Sequence, residues 1–140
     1  MKPTRIIGVS AFLFVALAIF GLGQVASADD GPFGPINVVA NRSQYNGKGC
    51  PVQIIYTATI NFVSPHPKGF VFNYHWERSD GGTTPERVVR PGANQQFRVI
   101  HQSWRLGAPG NSYDASMTLF VNSGNTHLSQ GSPVVRINCR

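Results

Sequence analysis

The stretch Cys50-Pro-Val-Gln-Ile-Ile-Tyr-Thr-Ala-Thr-Ile-Asn-Phe62 decides the fold class. Its even positions, Cys50, Val52, Ile54, Tyr56, Ala58, Ile60 and Phe62, are all apolar or cysteine. From Gln53 onward its odd positions are polar, with Ile55 the exception. Successive side chains of a strand point to opposite faces, so the pattern predicts one long strand with one face on a core and one in water. Cys50 opens the core-facing side, and the other cysteine, Cys139, is the penultimate residue. An antiparallel β-sandwich whose last strand is tied to an early one is the fold that this arrangement implies.

Reading outward from this stretch gives more short strands separated by turn signals. An edge strand is expected over 36–42, then a loop over 43–49 carrying Asn46-Gly47. After 50–63, two prolines in Ser64-Pro-His-Pro-Lys-Gly69 turn the chain. Residues 70–78 form the next strand, with Phe70, Phe72, Tyr74 and Trp76 in phase. Asp80-Gly81-Gly82 turns the chain, and a short strand follows over 86–90. Over 95–106 the apolar phase shifts, from Phe97 and Val99 to Ile100, Trp104 and Leu106, as a β-bulge would produce. Residues 112–121 alternate cleanly, 122–131 read as a polar loop, and 133–140 close the domain. After residue 28 no amphipathic helical window of useful length occurs, so an all-β sandwich of about seven strands is expected.

The first 28 residues read as a signal peptide. Lys2 and Arg5 precede an apolar stretch over 6–23, and Ala26-Ser27-Ala28 is a small-residue cleavage site. A membrane anchor is the alternative for an apolar stretch this long; the Gly21/Gly23 break and the acidic Asp29-Asp30 favour cleavage. After cleavage no stable membrane insertion is expected. Residues 29–35 form a linker rich in Gly and Pro, and 36–140 form a single domain. Both cysteines lie in the exported part, and an even count in an oxidising compartment implies a Cys50–Cys139 disulfide and a secreted, extracellular protein.

The chain holds 12 Lys and Arg against 6 Asp and Glu. Without Lys2 and Arg5 the net charge falls to about +4, with the cations spread out and in no block. A spread charge of this size keeps a protein soluble and permits weak attraction to anionic polymers or headgroups. Nucleic acid is a poor partner, because no helix-turn-helix, zinc-finger or RNP pattern accompanies the charge.

Tyr74-His-Trp-Glu-Arg-Ser-Asp-Gly81 resembles segments of secreted immunoglobulin-like modules, which carry a core Trp on their third strand. The polycystic-kidney-disease-type domains have Y-x-W-x-x-x-D-G, matched here by Tyr74, Trp76, Asp80 and Gly81. Pro91-Gly92 before Phe97 and Val99 is similar too. The aromatic-Gly pair of that family is replaced by Arg78-Ser79, and the cysteines do not flank the Trp as in antibody domains. The resemblance covers about a third of the mature chain. It implies an immunoglobulin-like, non-catalytic extracellular module of the kind found in uncharacterised actinobacterial secreted proteins.

Candidate chemistry is sparse. Four histidines (His66, His75, His101 and His127) are scattered, and only His75 has an acidic companion, Glu77, on its strand face. Zinc needs three or four converging ligands, and no H-x-H, H-E-x-x-H or C-x-x-C occurs, so neither metal nor cofactor is expected. No G-x-S-x-G elbow is present. A small enzyme would have to rest on His75, Glu77 and Asp80, and Asp80 before two glycines is ordinary turn chemistry. Asn41-Arg42-Ser43 fits a glycosylation sequon.

The expected function is therefore binding, to an extracellular protein or an anionic surface polymer, through loops or an exposed edge. Arg78, Arg87, Arg90 and Arg105 are the candidate site residues, on or beside the strands that frame the Asp80-Gly81-Gly82 turn. An inhibitor of an extracellular enzyme is the alternative, presenting residues 64–69 or 107–111 as a rigid loop.

Overall fold

The computed structural model describes residues 31–63, 66 and 68–140. The expected signal peptide, Asp29-Asp30 of the linker, and Ser64, Pro65 and Pro67 of the first candidate inhibitory loop lie outside the described residues. Ten strands follow in order: β1 (Phe33–Ala40), β2 (Gln44–Gly47), β3 (Val52–Phe62), β4 (Phe72–Arg78), β5 (Arg87–Val89), β6 (Phe97–Leu106), β7 (Ser112–Ala115), β8 (Met117–Ser123), β9 (Thr126–Gly131) and β10 (Val135–Cys139). No helix occurs among the described residues. The strands form three sheets, ordered β1-β3-β6, β2-β10-β7 and β5-β4-β8-β9.

The fold is all-β and sandwich-like, as expected, but with ten strands among the described residues instead of about seven. The two extra edge strands, β2 and β9, lie where polar loops were expected. β2 pairs parallel with β10, which departs from the otherwise antiparallel arrangement. β9 returns from β8 through Gly124-Asn125, and Gly124 has the positive φ of 56° that a two-residue hairpin turn requires. The uniform alternation of 112–121 proves to be two strands. β7 joins the sheet of β10, while β8 joins the sheet of β4. Ser116 is the junction, held by Ser79 N–H donating to its carbonyl and its own N–H donating to Ser79 Oγ. The odd residues Ala115, Met117, Leu119 and Val121 stay buried across the junction. That is why the sequence reads as unbroken.

The first sheet covers the other two over one core. β3 supplies its even residues from Val52 to Phe62, all buried, as its alternation predicts. Opposite lie Phe72, Trp76, Met117, Leu119, Val121, Val135 and Ile137. Trp76, 1% exposed, is a core residue. One end of the sandwich is closed by Phe33, Phe62, Phe70 and Phe72, with ring centroids 5.3–6.3 Å apart. Such aromatic pairs each add about 0.5–1.5 kcal/mol beyond their buried area. Phe33 makes the first strand begin three residues before the expected 36, inside the segment read as a linker. The other end is closed by the Cys50–Cys139 disulfide.

The β-bulge expected in 95–106 is absent. β3 and β6 pair without a break from Val52↔Leu106 to Asn61↔Phe97. The irregularity lies in β1 instead, between Phe33 and Ile36, where Gly34-Pro35 interrupts the ladder. Phe97 and Val99, read as core residues, stand on the outer face, 54% and 40% exposed.

Candidate functional site

An open trough of about 620 Å³ lies at the disulfide end of the sandwich. Three segments line it: Arg78, Ser79 and Asp80 at the end of β4, Trp104, Arg105 and Leu106 at the end of β6, and Ser112, Tyr113 and Asp114 in β7. The trough therefore sits between the last residues of β6 and the edge of β7.

The β6–β7 connection holds these walls in place. Gly107 has φ 110°, a conformation that L side chains rarely adopt. A Cβ there would come within 2.7 Å of Cys139 Sγ, so the chain crosses directly against the disulfide. Beyond it, Gly110 N–H donates to the Cys139 carbonyl and Cys139 N–H donates to the Asn111 carbonyl. The 107–111 loop is thus pinned to the last strand.

The β4 wall is fixed by a turn. Asp80 Oδ1 accepts the Gly82 N–H and Arg78 Nε–H, each at 2.9 Å. The Gly82 hydrogen bond, then the hydrogen bond and positive charge of Arg78, hold the Asp80 carboxyl below its ordinary range. A Cβ at Gly82 would collide with the Arg78 guanidinium. That guanidinium lies over the Trp104 ring, 5.1 Å from its centroid, as a cation–π contact. Trp104 is consequently buried beneath Arg78, and it offers no open stacking face. Arg105 and Asp114 are exposed and form no ion pair among the described residues.

Two of the four candidate arginines meet here and two do not. Arg78 and Arg105 share the trough. Arg87 faces Tyr74 across the β4–β5 ladder, four residues down β4 from Arg78, or about 13 Å at strand spacing. Arg90 follows Val89, which faces Phe72, so it belongs to the aromatic end. The residues that the sequence reading missed are Asp114 and Tyr113, whose strand was read only as a core element. A shallower depression of about 270 Å³ adjoins on the far side of β7, lined by Gln44, Tyr45, Asn46, Arg136 and Asn138 among others.

His75, Glu77 and Asp80 do not converge. His75 stacks on Phe120 with centroids 5.1 Å apart and lies 3.3 Å from Glu77, while Asp80 is engaged at the trough. Among the described residues no group of three His, Cys, Asp or Glu is placed to hold a metal ion. Asn41 has its side-chain oxygen accepting the Ile55 N–H at 3.0 Å, so it extends the β1–β3 ladder. No family model, no curated protein and no solved structure matches this chain.

Proposed function

We propose that this chain is an exported, non-enzymatic, immunoglobulin-like module that binds an extracellular protein through the trough at its disulfide end. The observation that carries this reading is the convergence of Arg78 and Arg105 with Asp80 and Asp114 around one cavity. Loops and strand ends held by a rigid sandwich are where such scaffolds place recognition. The disulfide is compatible with export. Two acids beside two arginines make the trough nearly neutral. It is therefore better matched to a protein segment bearing both charges than to a uniformly anionic polymer.

The test compares retention of secreted proteins and of surface-polymer fractions on immobilised protein at low and high salt. Arg78→Gln/Arg105→Gln should lower retention of a protein partner severalfold. Arg87→Gln/Arg90→Gln, at other places on the sheet, should leave it unchanged. Equal loss from both double variants, or none from either, refutes the trough as the site. Retention of polymer alone, abolished by salt, would return the reading to an anionic surface polymer.

The pinned 107–111 loop favours one second reading, inhibition of an extracellular enzyme. Its hydrogen bonds to Cys139 give the rigidity that a substrate-like loop needs. A panel of secreted hydrolases assayed with and without the protein tests it. Unchanged rates throughout would remove it.

A further inference from the structure

The second feature of this surface is the outer edge of β6. Phe62 N–H donates to the Gln96 carbonyl, which fixes the parity of the β3–β6 ladder. In an antiparallel pair, hydrogen-bonded and non-hydrogen-bonded positions alternate. The even residues of β6 therefore bond to β3. The N–H and C=O groups of Phe97, Val99, His101, Ser103 and Arg105 face away from the sheet. Only the carbonyls of Phe97 and Ser103 are engaged, by the side-chain amides of Gln95 and Gln102. No hydrogen bond from the described residues reaches the backbone of Val99, His101 or Arg105 on this side.

The remaining sheet edges are blunted. β2, β5 and β7 have four, three and four residues. β1 is broken at Gly34-Pro35, and it lies against β9. β6 has ten residues, an unbroken register, and no Pro, Gly or bulge. Its outer face carries Phe97 and Val99 at one end, 54% and 40% exposed and set opposite Asn61 and Thr59 of β3. A long, unbroken edge of this kind, apolar at Phe97 and Val99 and polar from His101 to Arg105, is a template for another strand.

We infer that β6 pairs antiparallel with β6 of a second copy of this chain, about a two-fold axis at His101. The edge is self-complementary in this register. His101 faces His101 of the partner subunit, Val99 faces the partner's Ser103, and Phe97 faces the partner's Arg105. On the inner side, Trp104 faces the partner's Arg98. Arg105 thus meets the exposed ring of the partner's Phe97, and no arginine of the paired strands is placed opposite another arginine. Odd residues face odd residues, so the outward N–H and C=O groups of both edges are in register, the Phe97 and Ser103 carbonyls accepting through the lone pair that Gln95 and Gln102 leave open. Each closed two-fold contact uses the same patch twice and leaves no further edge of β6 exposed. The same register brings the partner's Arg98 to the wall of the trough at Trp104. Each trough, with its acids Asp80 and Asp114, gains a cation from the second copy. The pairing itself does not depend on what the trough binds.

Sedimentation velocity of the purified, disulfide-bonded protein across the micromolar range tests this. The wild type should run as a concentration-dependent dimer. His101→Lys, which puts two ammonium groups face to face at the axis, should run as a monomer. His101→Asp alone should do likewise, and an equimolar mixture of the two variants should recover the dimer. His101 is exposed, and its ring nitrogen makes one exposed hydrogen bond, with Thr57 Oγ1 at 3.0 Å, so both variants should keep a monomer thermal midpoint within a few degrees of the wild type's. A wild type that stays monomeric overturns the inference, and so does a dimer indifferent to His101→Lys. Loss of dimer in both variants without recovery on mixing also overturns it, because the register would then be wrong.

Discussion

Tyr56→Phe should make this protein more stable. Tyr56 is fully buried at the centre of β3, and its hydroxyl has no hydrogen-bond partner among the described residues. A buried polar group without a partner costs about 1–3 kcal/mol of desolvation. Removing the oxygen recovers that cost. The void it leaves takes back only a few tenths of a kcal/mol, at about 24 cal/mol per Å³. The net gain should be about 1–2 kcal/mol, which at roughly 4 °C or more per kcal/mol for a domain of this size is readily seen in a thermal melt. Urea denaturation should show a higher midpoint with an unchanged slope. An alkaline arm checks the cause. Burial pushes the Tyr56 hydroxyl from 10.0 up to about 12. Between those values the unfolded chain has released the proton and the folded chain still holds it. The wild type therefore loses stability relative to the Phe variant as pH rises through that window, and below it the difference is constant. A Phe variant less stable than wild type, or a difference flat from neutral pH to pH 12, would refute the reasoning by showing that the hydroxyl is satisfied.

Three further outcomes follow from the core and the clasp. Trp76→Ala should cost about 3–5 kcal/mol, as truncation of a large buried aromatic does, and an unchanged denaturation midpoint would contradict its place in the core. Cys50→Ala/Cys139→Ala opens a loop spanning 89 residues of sequence. It should lower stability by about 4–5 kcal/mol in the chain-entropy model, measured against wild type in non-reducing urea. Gly107→Ala puts a side chain at positive φ and against the disulfide. It should cost more than about 1 kcal/mol, and a neutral result in a calorimetric melt would mean that the 107–111 loop is not pinned.

What could be read from the sequence was whatever a single strand determines on its own. β3 carries its own evidence, because a period of two over 11 residues needs no partner to interpret. Trp76 was legible for the same reason, in phase with Phe72 on β4. The disulfide was legible from the even cysteine count and the expectation of export. β2 and β9 were not legible, because their residues are polar and become strands only when β10 and β8 lie beside them. Phe97 and Val99 misled differently. Apolar residues on both faces of β6 imitate a bulge, whereas the ladder is regular, with Ile100 and Trp104 buried and Phe97 and Val99 exposed.

The site failed in the sequence for a related reason. Arg87 and Arg90 are close in the chain to the Asp80-Gly81-Gly82 turn, but closeness in the chain is not closeness in space. In an antiparallel hairpin each residue beyond the turn retreats from it by one strand step, about 3.4 Å. Arg78 is at the turn, bonded to Gly82 through its backbone. Arg87 is already beside Tyr74, and Arg90 has passed Phe72. The residues that do meet Arg78 come from strands far along the chain, Arg105 from β6 and Asp114 from β7. Their arrival depends on two registers, β3 with β6 and β10 with β7, and on Gly107 turning the chain against Cys139. Those are tertiary facts. The same registers decide which backbone groups of β6 face outward, so the trough and the free edge share one origin: the last long strand of the first sheet ends beside the disulfide with no strand on its far side.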